Sequence, residues 1–294
     1  MPRILKPILA VPFTLLFIFA LAILPHLFQL NGGGGLHLDW SGSMSSVKDY
    51  FAGIGTGESF RFISGRKELS FWEQIGGYFR TSLFYIAIGA LAGTTIGILV
   101  GIYFSLSRAA WLKRGVDLAA SIPDFVLIIL LQSLVIFVGK STGVFVFKFA
   151  SISSKDPAIA LPLISSIIIP ASYMIRSVAL QMKLTMTEDY INVAKSRGFS
   201  KPHIVFFHAL PNVLPFIKTD INKLLGILIG NMFIVEFLYN LRGVTKLLFT
   251  DTFSNNGYQY ALAVNGLLAL VIVYTVVYVL LRIYLWGWEK VFSR

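Results

Sequence analysis

The chain contains no cysteine. Disulfides, thiolate nucleophiles and cysteine-ligated metals are therefore excluded, while the redox compartment stays open. Histidine is scarce. His26, His37, His203 and His208 are scattered along the chain with no His-Glu-x-x-His pair, so no metal site is expected. No Gly-x-x-x-x-Gly-Lys-Ser/Thr phosphate loop is present, so energy from ATP would have to come from another polypeptide. No Ser/His/Asp constellation stands out either, and neither a catalytic residue nor a cofactor is assigned. Charge is thin, at 13% of residues, and bases outnumber acids 25 to 14. On a soluble protein a net charge of +11 would suggest nucleic acid. Here the bases flank apolar blocks, where they orient membrane spans, and no nucleic-acid partner is expected.

What fills the chain is apolar: 56% of its 294 residues, with a mean hydropathy of +0.75. Blocks of ~20 residues with few charges have the length that crosses ~30 Å of hydrocarbon as a helix. In lipid the backbone must satisfy its own hydrogen bonds, and the alternation of a membrane barrel is absent, so the expectation is an all-α polytopic protein. Six spans are read: Ile8–Leu30, Ser82–Leu106, Val116–Val138, Pro157–Val178, Val213–Leu238 and Tyr260–Trp286. The first follows Arg3 and Lys6, is too long for a signal-peptide core and is read as retained. Residues 31–80, opening with Gly32-Gly33-Gly34-Gly35 and ending in Phe71-Trp72-Glu73-Gln74-Ile75, are too long for a tight loop and are expected to form a small extramembrane element. Pro123 and Asp124 fall in the first turns of span three, and Pro162 and Pro170 are expected to bend span four. The whole is read as one transmembrane domain over residues 1–294.

Orientation follows from the bases. Arg108, Lys113 and Arg114 lie between spans two and three, and Lys183, Lys195, Arg197 and Lys201 between spans four and five. Placing both connections inside puts residues 179–212 and both termini in the cytoplasm and residues 31–80 outside. Span two carries Gly89, Gly93, Gly97 and Gly101 at four-residue spacing, one helix face on which a neighbour can approach closely. That stripe reads either as a sliding contact or as ordinary membrane packing.

The stretch between spans four and five holds a short helix with its own stop signals. Thr187 is a candidate N-cap, and Glu188 and Asp189 suit the positive end of the helix dipole. Tyr190, Val193 and Ala194 are expected on one face. Lys195 and Arg197 suit the far end, Gly198 can close the helix in a left-handed conformation, and Pro202 prevents its continuation. A helix this short is marginal alone and needs a bundle, a bilayer or a partner to hold it.

This stretch resembles the loop of binding-protein-dependent ABC importer permeases, whose pattern is Glu-Ala-Ala, three residues, Gly, nine residues, Ile-x-Leu-Pro. Ala194, Gly198, Leu210 and Pro211 match at full spacing, while Asn192, Val193 and His208 replace three pattern residues. The departures are similar to those of the dipeptide, oligopeptide and nickel permease class, matched here by Asp189-Tyr190-Ile191, Ala194, Arg197-Gly198, His208-Ala209-Leu210 and Asn212. Val235-Glu236 and Gly243 look like that class's turn after span five, with Arg242 where proline is usual, and the class's closing Asp-Pro-Arg is missing. The resemblance covers roughly residues 78–285. It implies a type I ABC importer permease fold in a bacterial inner or plasma membrane, moving a peptide or peptide-like solute. It also implies two cytoplasmic ATPase subunits, a second permease subunit and an extracytoplasmic solute-binding protein as partners, besides membrane lipid. The coupling positions it implies are Glu188, Asp189, Tyr190, Ala194, Gly198, Leu210 and Pro211.

Lys218, Asp220, Asn222 and Lys223 open span five, where charge is costly. Asp220 and Lys223 are three apart and can pair. The group is either a polar lining of a translocation path or a membrane-edge cluster whose long side chains snorkel. Glu236, near the other end of span five, either meets the path or a docked protein, or is an exposed interface residue. Rival readings are a permease for a metal chelate, sugar or amino acid, and a secondary transporter or channel needing no ATPase. The latter favours paired acids near mid-membrane, which spans two, three, four and six lack.

Overall fold

The computed structural model describes residues 5–30, 36–107, 110–153, 156–254 and 257–292. Arg3, the Gly32–Gly35 run, Arg108 and Arg294 lie outside the described residues. The elements in order are α1 (Leu5–Leu27), β1 (Phe28–Leu30), β2 (Leu36–Leu38), α2 (Trp40–Thr56), β3 (Arg61–Ser64), β4 (Lys67–Ser70), α3 (Phe71–Leu106), α4 (Ala110–Ser121), α5 (Asp124–Thr142), α6 (Ala160–Thr185) and α7 (Asp189–Ser196). There follow α8 (Lys201–His203), a π-helical stretch Ile204–Ala209, α9 (Leu210–Leu238), α10 (Val244–Lys246), a second π stretch Leu247–Asp251, β5 (Phe253–Ser254), β6 (Gly257–Tyr258) and α11 (Tyr260–Phe292). The fold is all-α apart from short antiparallel hairpins. Among the described residues, six helical runs are long and apolar enough to cross a membrane: α1, α3, α5, α6, Lys201–Leu238 and α11. Their outward side chains include Phe13, Leu16, Leu130, Leu134 and Phe137, which suit hydrocarbon rather than water.

Several span boundaries differ from the sequence reading, each for a local reason. Span two begins at Phe71 rather than Ser82, because residues 72–81 contain no proline and the Gly76-Gly77 pair does not interrupt the helix. Pro123 does not sit inside span three. Its φ and ψ of −56° and 140° break the chain there, so α4 is a separate helix and Asp124 opens α5. Pro162 falls in the first turn of α6, where proline is tolerated, and α6 runs on past Val178 to Thr185.

The chain divides into two compact units, residues 1–81 with 242–273, and residues 82–241 with 274–294. In the first, Ile18 and Ala22 of α1 pack with Tyr50 of α2 and with Tyr260, Ala263 and Val264 of α11. Asp39 caps α2 by accepting from the Gly42 amide at 2.9 Å, and that amide with the Ser41 hydroxyl holds its carboxyl below the ordinary value of 3.8. Three buried polar residues form a closed set. The Tyr50 hydroxyl donates to Asn265 at 2.9 Å, Asn265 donates to the Ser59 carbonyl at 2.8 Å, and the Ser59 hydroxyl donates back to the Tyr50 carbonyl at 2.6 Å. Gln259 exchanges hydrogen bonds with both backbone groups of Ile63 in β3. The 40–70 segment therefore has a fixed tertiary fold, built with residues from the far end of the sequence.

In the second unit the glycine stripe meets α6 in register. A Cβ built on Gly89, Gly93, Gly97 or Gly101 would lie 2.5, 2.8, 2.2 or 2.7 Å from Ser166, Pro170, Met174 or Val178. Partners that also step by four place α3 and α6 parallel and in backbone contact, and no side chain fits between them. The contact is ordinary close packing in its geometry, and it fixes the face that α6 presents elsewhere.

Candidate functional site

The short helix between spans four and five is present and doubly delimited. Glu188, extended at φ −70° and ψ 149°, is its N-cap, with Asp189 in its first turn. Thr187, the expected cap, instead donates its hydroxyl to the Leu184 carbonyl at 2.7 Å and finishes α6. At the other end Gly198 adopts φ +82°. Its amide donates to Lys195 O at 3.0 Å and the Phe199 amide donates to Ala194 O at 3.3 Å. That pair of bonds is a Schellman closure, which requires the left-handed residue where Gly198 stands.

The buried face is not the expected one. Ile191 and Ala194 are buried, three residues apart, whereas Tyr190 and Val193 are 40% and 51% exposed. The spacing was correct but the phase was off by one residue. Ile191 was the missed core position, and its apolar character at three-residue spacing from Ala194 was the available signal. Tyr190 and Val193 thus form an unburied apolar pair beside acidic Glu188 and Asp189.

The inward face of α7 packs on the π-helical stretch Ile204–Ala209. Pro211 explains that stretch. Its missing N–H leaves the Phe207 carbonyl without its α-helical donor and its ring crowds that carbonyl, and a wider turn relieves both. Leu210, fully buried, begins α9, and its amide donates to Val205 O. One side-chain tie fixes α7 to this region, through an amide that is itself held by the π stretch. The Asn212 amide donates to the Tyr190 hydroxyl at 3.0 Å and to the His208 carbonyl at 2.8 Å. Burial holds the Tyr190 phenol above its ordinary value of 10.0, Asn212 opposes that shift, and Glu188 adds to it. His203 and His208, scattered in sequence, come together with ring centroids 5.5 Å apart, and Phe199 stacks on His203 at 4.8 Å. The cluster fixes the chain leaving Gly198. Among the described residues no group of three metal-ligating side chains forms.

The polar residues of α9 separate into different contacts. Lys218 pairs with Glu289 of α11. Asp220 does not pair with Lys223: it accepts from the Ser177 hydroxyl at 2.6 Å, and the Lys223 ammonium sits 5.3 Å from the centre of the Tyr173 ring. Asn222 accepts from the Tyr274 hydroxyl at 3.1 Å. Glu236 is not an exposed interface residue. It is 3% exposed and accepts from the buried Ser82 hydroxyl. After α9 the left-handed residue is Asn240, at φ +51°, with its side-chain amide donating to Ser151 O at 2.9 Å, while Gly243 is extended. Arg242 places its guanidinium over the Tyr78 ring at 5.3 Å.

These features describe a multi-pass helical membrane protein with a short helix, closed by Gly198, between its fourth and fifth spans. Residues 93–286 match the family described as binding-protein-dependent transport system inner membrane component, and the chain belongs to that family. A Brucella abortus (strain 2308) protein named as a peptide transport system permease is 30% identical over 167 residues, 52% of this chain and 51% of that protein. Against the Brucella relatives the chain spans about half their length. The di/tripeptide transport system permease protein DppB of Pseudomonas aeruginosa (strain UCBPP-PA14) is 25% identical over 247 residues, 75% of this chain and 72% of that one. Among solved structures, the MetNI methionine ABC transporter in inward-facing conformations matches with a TM-score of 0.52 at 18% identity, over 76% of this chain and 98% of that one. The fold is that of an ABC importer permease.

Proposed function

We propose that the chain is a membrane-spanning permease subunit of an ATP-driven type I ABC importer that moves peptides or peptide-like small solutes handed over by a binding protein. The observation that carries this reading is α7: a short helix opened by extended Glu188 and closed by Gly198, seated on the start of α9, with Tyr190 and Val193 left uncovered. A rigid helix transmits displacement, and a loose loop absorbs it. The acidic start and basic end offer complementary charge to a partner, which sets orientation more than affinity.

In this reading residues 1–294 form one permease domain, with 179–212 as a cytoplasmic coupling loop, 31–80 as an extracytoplasmic segment and both termini cytoplasmic in a bacterial inner or plasma membrane. Glu188, Asp189, Tyr190 and Gly198 shape and present the helix, while Ala194, Leu210 and Pro211 seat it. Two ATPase subunits supply the work, and their closure moves α7 and α9 together. A second permease subunit, identical or homologous, completes the pathway. Lys218, Asp220 and Asn222 belong to the polar side of α9 facing that pathway, and Glu236, held by Ser82, anchors α9 to α3. The relatives named for peptide and di/tripeptide transport support the solute class.

Copurification tests the reading. Extraction in mild detergent is expected to bring an ATPase and a second six-span chain, and liposomes holding that complex are expected to accumulate dipeptide only with ATP and the binding protein. Transport by this chain alone, without ATP, contradicts it.

A further inference from the structure

The face of α6 opposite the glycine seam carries charge. Two residues beyond Met174 of the seam, roughly 200° around the helix at ~100° per residue, stands Arg176. It lines a cavity of about 240 Å³ with Ser172 and Tyr173 of α6, Asp124 at the start of α5, and Ile227 of α9. The volume is that of about eight waters at ~30 Å³ each, and it lies just under the ~300–1,000 Å³ of drug-sized sites. Arg176 also lines a second cavity, of about 460 Å³, with Asp117 of α4 and Lys183 further along the same face of α6. Ser172, Arg176 and Lys183 thus mark one line along α6 through two spaces that share a guanidinium.

The two charges at the smaller cavity have opposite signs and do not neutralise each other. Among the described residues neither Asp124 nor Arg176 forms an ion pair. The Arg176 Nε has a long contact of 3.4 Å with Ser172 O of its own helix. Tyr173 stands beside them, its ring already holding Lys223. Of the other charges of this region, Asp220 accepts from Ser177 and lies beside Tyr173, and Lys218 pairs with Glu289.

We infer that this cavity is a translocation subsite for a zwitterion, in which Asp124 receives the ammonium end of a free amino acid or short peptide and Arg176 its carboxylate. The assignment rests on the importer reading above. A guanidinium matches a carboxylate with two parallel hydrogen bonds, and a carboxylate matches an ammonium by charge-assisted contacts. A solute with one end blocked leaves one wall group desolvated and unmatched, a loss of about tenfold or more in occupancy. A solute with only one sign of charge meets a repelling wall.

The absence of native cysteine gives a direct test. A Ser172→Cys variant carries its only thiol in the cavity, and maleimide labelling of this chain is followed in the assembled transporter, in membranes open on both sides. Alanyl-alanine is expected to slow labelling at least about fivefold at saturation, and N-acetyl-alanyl-alanine amide to leave it unchanged. Adding Arg176→Gln is expected to shift the protecting dipeptide concentration up by about tenfold or more, as loss of one charge-assisted contact does, and Arg176→Lys to shift it less. Equal protection by the blocked peptide, no protection by the free one, or protection unaltered by Arg176→Gln overturns the inference. ATP-driven uptake by the same preparation separates the two levels: uptake without selective protection removes the subsite alone, and loss of ATP-driven uptake in the unmutated transporter removes the importer reading and the subsite with it.

Discussion

The Tyr190 hydroxyl of α7 accepts a hydrogen bond at 3.0 Å from the Asn212 side chain, 22 positions further along the sequence in the first turn of α9. A bond of this kind contributes about 0.5–1.5 kcal/mol net. Tyr190→Phe is expected to leave assembly intact and to lower solute uptake roughly two- to tenfold at unchanged ATP hydrolysis. Asn212→Ala is expected to do the same, and the double variant to be no worse than either single one, because the two residues act as one contact. The phenol is raised above 10.0, so folding favours its neutral form. Its contribution is complete below the ordinary value and is lost only as pH rises through the raised one. Uptake across about pH 5–9 therefore owes no pH dependence to this tie.

Gly198 is constrained by its backbone alone. A Cβ there meets nothing within 4 Å, but φ is +82°. Gly198→Val is expected to cost about 1–2 kcal/mol in local strain and to loosen the Schellman closure. Uptake is expected to fall while membrane insertion is retained, and Gly198→Asn to be milder because asparagine tolerates the left-handed region. Normal uptake by the valine variant contradicts this.

The glycine seam gives the opposite case, where space decides. At Gly97 an added Cβ would stand 2.2 Å from the Met174 Cβ. Gly97→Ala is expected to destabilise the protein by about 1–3 kcal/mol through overpacking, read as a lower thermal aggregation midpoint in detergent. Met174→Ala retains the clashing atom and is not expected to rescue it, whereas Met174→Gly is.

Asn265 bridges the Tyr50 hydroxyl and the Ser59 carbonyl in buried surroundings. Asn265→Leu fills the space but strands both groups, at about 1–3 kcal/mol each. Faster proteolysis within residues 40–70 is the expected readout.

The sequence made the spans and the short helix visible because length, apolar runs and caps are local properties. The stop at Gly198 was legible for the same reason, whereas the break at Pro123 was not, because the apolar run of span three continues across it. The phase of α7 was not. Tyr190-Ile191 and Val193-Ala194 are adjacent apolar pairs, and only the surface beneath decides which member faces inward. The pairing of Asp220 was misread because three-residue spacing permits a Lys223 contact, while Ser177 and Tyr173 of α6, both distant in sequence, offer better ones. Burial of Glu236 depends on Ser82, more than a hundred residues away, and no periodicity announces it. The pleated and helical fold of residues 36–70 was compressed to an extramembrane element because its core partners come from residues 258–265.

The most direct test of the account is where Val193 points. It is the exposed apolar residue at the middle of α7, and in this chain a Val193→Cys variant carries the only thiol. In native membranes the account predicts cross-linking of that thiol to a copurifying ATPase, with a yield that changes on adding ATP and vanadate, and no labelling by an impermeant maleimide applied to intact cells. Labelling from outside, or no cross-link to any ATPase in either nucleotide state, would contradict it.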